Sequence, residues 1–111
     1  MISLFIVFLF LLACNEHDEQ PPPGILSKEK MITVLIDIYL TESAISLKNI
    51  TRDSSVALYS LYEKEIFKKH NISDSVFYRS REFYYNHPKM YYSIYESLVD
   101  SLSMRQARRR L

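Results

Sequence analysis

One glycine, Gly24, and one cysteine, Cys14, serve the whole 111-residue chain, which has no tryptophan. The four prolines stand at Pro21, Pro22, Pro23 and Pro88, so no strong helix breaker lies between Ile25 and His87. Each scarcity excludes something. Hairpin turns need residues that tolerate positive φ, and a glycine-free stretch supplies few of them, which argues against a β-sheet. A single cysteine forms no internal disulfide. Without glycine-rich turns there is no oxyanion loop and no nucleophile elbow. What remains is 48% hydrophobic, 14% aromatic and 24% charged, the profile of one small globular domain. The expected fold is all-α: a small antiparallel bundle of about four helices, two long, one short and one long.

The net charge of +1 hides an uneven distribution. Glu16, Asp18 and Glu19 follow the cysteine, and Arg105, Arg108, Arg109 and Arg110 crowd the far end. The chain divides into a signal segment (1–13), an acidic, proline-rich tether (14–24), a helical domain (25–104) and a basic tail (105–111).

Residues 2–13 are apolar except for Ser3. The run is too short to span a bilayer, which takes about 20 apolar residues, and suits the core of a signal peptide. Leu11-Leu12-Ala13-Cys14 resembles a bacterial lipobox, in which the cysteine thiol takes a diacylglycerol and cleavage follows the small residue before it. The apolar run lacks the usual basic flank. A buried helix with a structural cysteine is the plainer alternative, but such a helix would not run straight into NEHDEQPPPG. Cys14 is therefore expected to carry a lipid that holds the chain on a membrane. Pro21-Pro22-Pro23 is expected to be extended polyproline II, a spacer.

Four helix starts are written in the body. Ser27 reads as an N-cap with Glu29 in the first turn and a Leu26–Met31 hydrophobic staple. Thr51 or Asp53 caps the second helix, which should reach His70, with Asn71 in the left-handed position after it. Ser73 caps the third, with an Ile72–Phe77 staple, and Pro88 opens the fourth. Apolar residues recur at helical spacing: Met31, Ile32, Leu35, Ile38 and Tyr39; then Val56, Tyr59, Tyr62, Ile66 and Phe67; then Tyr91, Ile94, Tyr95, Leu98 and Leu102.

Four stretches together, PPPGILSKEKMITVLIDIYLTES, YEKEIFKKHNIS, FYRSREFYYNHP and IYESLVDSL, resemble the domain-of-unknown-function 4296 family over residues 21–102. The matching positions are Asp37, Ile38 and Glu42; Lys68, Lys69 and His70; then Phe77, Ser80, Phe83, Tyr84 and Pro88. Tyr39 stands where a histidine is common, and Arg81 where the pattern is usually apolar. The resemblance implies a small helical lipoprotein of the Bacteroidota. It brings no established activity and no catalytic residues.

Some polar residues fall on apolar faces when about 100° is allotted to each residue. They are Glu42 on the first helix, Glu63 and His70 on the second, and Arg81 on the third. One reading is a polar pocket or acid/base site. The plainer one is a structural ion pair of Arg81 with Glu42 or Glu63, with His70 favoured by the helix dipole. His17 and His87 do not converge with His70, so no metal site and no cofactor are expected. Tyr84, Tyr91 and Tyr95 read as packing residues. Tyr78, Tyr85 and Tyr92 read as exposed contacts for a protein or glycan, in an aromatic groove between the third and fourth helices.

The leading functional expectation is a non-enzymatic envelope lipoprotein that binds or scaffolds an unidentified envelope protein or glycan. It is expected at the outer membrane, with the periplasmic and external faces both open. A periplasmic folding helper is the second reading and a small envelope hydrolase the third. The arginine tail reads as a solvated helix end. An exported chain rarely meets DNA, so no nucleic-acid partner is expected.

Overall fold

The structure, a computed structural model, describes residues 19–110. Cys14, the lipobox and the first acidic residues lie outside the described residues. The described residues hold four helices and no strand: α1 (Lys28–Ser46), α2 (Arg52–Lys69), α3 (Asp74–Tyr85) and α4 (Pro88–Arg109). The all-α fold is as expected from the sequence.

Each helix begins where its capping residue stands. Ser27, Thr51 and Ser73 accept from the backbone N–H of Lys30, Ser54 and Val76 at 3.1, 3.2 and 3.2 Å. Pro88 occupies the first turn of α4. Asn71 takes φ +55°, and Asn71 and Ile72 donate to the carbonyls of Lys68 and Phe67 at 3.1 and 3.0 Å. This pair of bonds is the Schellman closure that an asparagine at this position permits.

α1 packs against both α2 and α4, and α3 packs against α4. The core joins Met31, Val34 and Ile38 of α1 to Ile66 and Phe67 of α2, Phe77 and Tyr84 of α3, and Ile94 of α4. Burying side chains of this size stabilises by roughly 1.5–3 kcal/mol each. In α2 only Ile66 and Phe67 are buried, while Val56 and Tyr62 are exposed rather than inward-facing. The spacing gave the correct side of α2, but the first half of the helix has little against that side.

The proline run does not stay extended as far as the body. Ile25 N–H donates to the Pro22 carbonyl at 3.3 Å with Gly24 at φ +86°. This is a turn with Pro23 and Gly24 in the places where each is favoured. The next residue is gripped twice. Leu26 N–H donates to Ser80 Oγ at 2.8 Å, and Tyr84 Oη donates to the Leu26 carbonyl at 2.7 Å. Ser80 and Tyr84 lie one turn apart on α3 and are 0% and 1% exposed. The entry of the chain into the body is thus fixed by α3.

Candidate functional site

Along α1 the residues Met31, Leu35, Tyr39 and Glu42 share one stripe at spacings of three and four. Their environment changes along it: Met31 is buried, Leu35 half-buried, Tyr39 and Glu42 exposed. The stripe runs down one wall of a cleft that opens to solvent. Met31, Leu35, Ile94 and Leu98 form its apolar floor, and Tyr39, Tyr85, Tyr91 and Tyr95 stand around it, with Tyr84 and Arg81 from α3. Its volume is about 30 Å³, room for a water molecule or the tip of one small side chain.

Tyr39, Tyr91 and Tyr95 are 40%, 37% and 50% exposed. Tyr91 and Tyr95 are therefore cleft walls rather than the packing residues their spacing suggested, and Tyr84 alone of the three is core. Tyr85 meets Tyr91 edge-on at 5.3 Å between centroids. Burial, reinforced by Tyr91 and Tyr85, raises the Tyr39 hydroxyl above its ordinary pKa. That hydroxyl remains a hydrogen-bond donor at neutral pH. Tyr85 is exposed and lines the cleft. Tyr92 is exposed but outside the lining, beside Glu96, which raises its pKa by hydrogen bonding.

The four polar residues expected to cluster do not form one ion-paired site. Glu42 is exposed and lies outside the cleft lining, although helical spacing put it on the apolar arc of α1. Arg81 makes no ion pair among the described residues. Its guanidinium lies over the rings of Tyr78, at 4.9 Å, and Phe77, at 5.9 Å. Tyr78 in turn donates its hydroxyl to Glu63 Oε1, so a tyrosine stands between the two charges expected to pair. This hydrogen bond, with burial, pushes the Tyr78 hydroxyl up to about 12. Burial and the same carboxylate raise Tyr59. Glu63 thus serves two tyrosines, and Tyr78 is committed to the α2–α3 contact rather than free for a partner.

His70 has a different partner. Its Nε2 lies 2.7 Å from Asp37 Oδ2, and Lys69 Nζ reaches the same oxygen at 2.9 Å. Burial alone would raise the Asp37 carboxyl, but the hydrogen bonds and charges of Lys69 and His70 outweigh it and hold it below the usual range. The trio pins the end of α2 to the middle of α1. Sequence reasoning missed Asp37 as a partner, since nothing local relates residues 33 positions apart. It missed Tyr39 as a cleft wall, although the Met31–Leu35–Tyr39 spacing carried that signal. A wider, open trough of about 460 Å³ flanks this trio, bordered by Thr41, Tyr62 and Glu65. It lacks the aromatic wall of the cleft. No group of three or more potential metal ligands occurs among the described residues, and none of their helices is long and apolar enough to cross a membrane.

No curated protein and no solved structure matches this chain. A family model does, over residues 22–108. That span starts at the turn before the α3-gripped Leu26 and takes in all four helices almost to the end of α4. The chain therefore belongs to the family described as Domain of unknown function (DUF4296).

Proposed function

We propose that this protein is a non-enzymatic, lipid-anchored module of the bacterial envelope, of the kind found in the Bacteroidota, and that it holds a partner through the tyrosine cleft. The observation that carries the reading is the set of half-exposed tyrosines from α1 and α4 around an apolar floor. Tyrosine offers a large amphipathic contact area at little cost in side-chain entropy, and here the rings stand on packed helices. The slot is too small for a substrate but suits one protruding group of a larger partner. That partner is an envelope protein or glycan. The lipobox at Cys14 and the acidic tether support a location on a membrane, with the outer membrane as the proposed one.

The folding-helper reading asks for a broad uncovered apolar groove. Val56, Leu61 and Tyr62 are exposed on α2, yet at about 100° per residue Leu61 points away from the stripe that Val56 and Tyr62 border, so they form no continuous groove. The partner-binding reading is tested with a photoreactive amino acid placed in turn at Tyr91, Tyr95 and Leu61 in living cells. A discrete adduct from the two cleft positions, absent from Leu61, is expected. Adducts of equal yield from all three, or none from the cleft, would overturn it. Cys14→Ser is expected to leave an uncleaved precursor without lipid label; normal processing of that variant would remove the anchor.

A further inference from the structure

α4 runs on beyond the packed body. The helix continues through Arg109, and every residue from Ser103 to Arg110 is exposed. Arginine, glutamine and alanine are good helix formers, and cationic side chains suit the negative end of the dipole. The inward stripe of α4, Ile94, Leu98, Ser101 and Leu102, continues at helical spacing as Arg105, Arg108 and Arg109. Where the body ends, the stripe changes from apolar to cationic. The nearest carboxylates on the helix, Glu96 and Asp100, fall on the other side of it. None of these arginines has an ion-pair partner among the described residues.

We propose that this arginine-bearing end of α4 docks on the phosphate-bearing surface of an anionic bilayer. The charges are complementary: guanidinium groups pair with phosphate in a bidentate manner, and each basic residue near an anionic surface adds about fivefold to the docked population. Arg105, Arg108 and Arg109, with the cap residue Arg110, together favour docking several-hundred-fold. Met104 is exposed beside them and gives the end an apolar edge to lay against the interface. The proposal bears on orientation rather than retention. From Cys14 to Gly24 the chain reaches at most about 40 Å when extended, and α4 is itself about 33 Å long. A tethered body therefore keeps the helix end within range of the surface, and docking fixes which side of the cleft faces away.

The test uses the full chain reconstituted into vesicles, whether or not Cys14 carries lipid, so its failure is separable from failure of the anchor. The chain has no tryptophan, so Met104→Trp places a sole reporter on the exposed apolar edge beside the arginines. In vesicles of phosphatidylcholine with a third phosphatidylglycerol, brominated lipid should quench the reporter. It should not do so in phosphatidylcholine alone, or in about 0.5 M salt, where screening removes the attraction. Replacing all four arginines by glutamine should abolish quenching with helicity by circular dichroism unchanged, and replacing them by lysine should retain it. Inorganic phosphate at matched ionic strength should not compete; competition would assign the site to free phosphate instead and overturn the proposal. Equal quenching in neutral and anionic vesicles, or in the glutamine variant, would also overturn it, as would no quenching in either.

Discussion

Leu26 has both of its backbone polar groups taken by side chains from a helix more than fifty residues away. Ser80 and Tyr84 are buried, so removing either hydroxyl strands a group of Leu26 away from water. Ser80→Ala and Tyr84→Phe are each expected to lower stability by about 1–3 kcal/mol, read from chemical denaturation. Asp37 makes a prediction in pH. Its folded pKa lies below its unfolded value, so its contribution is complete above about pH 4 and fades as pH falls through the folded value. Asp37→Asn should cost about 1–2 kcal/mol at neutral pH, discounted because Lys69 is largely exposed. The gap between variant and parent in pH-dependent thermal unfolding should close in acid. At this scale the sequence was legible wherever partners are neighbours, as at Ser27, Thr51 and Ser73. It was not where they are distant: no spacing rule links Asp37 to His70 or Glu63 to Tyr78.

Among the elements, every helix start was legible because caps, staples and Pro88 act within a single turn. The stop of α2 was too, whereas that of α4 lies at Arg109, past the expected boundary at 104: Asn71→Ala is expected to cost about 1 kcal/mol, since alanine tolerates φ +55° less well than asparagine. Depth was the harder quantity. Helical spacing gives the side on which a residue lies, not what stands opposite it. Tyr91 and Tyr95 lie on the side that spacing indicated, but the facing stripe of α1 leaves a slot there, so both remain half exposed. Glu42 and Val56 were misjudged for the same reason. The distinction can be measured. Ile94→Ala, beneath the cleft, should lose about 2–5 kcal/mol. Tyr95→Ser, at its rim, should change stability far less while abolishing the cleft adduct in cells.

For the molecule as a whole, four helices put the tyrosine cleft, the gripped entry of the chain and the arginine end on one small body. The all-α class followed from scarce glycine and internal proline, and the family from motifs that turn out to fix the fold: Ser80 and Tyr84 hold Leu26, and His70 and Lys69 hold Asp37. The cleft was partly legible, through Tyr85, while its other walls needed three helices placed together. What that body meets depends on whether Cys14 holds it at a membrane. Intact-mass spectrometry of the protein purified from the membrane fraction of its own cells tests this most directly. A chain that begins at Cys14 and carries the added mass of a diacylglycerol and an acyl group is the predicted result. A chain that retains residues 1–13, or that starts at Cys14 without lipid, would contradict it.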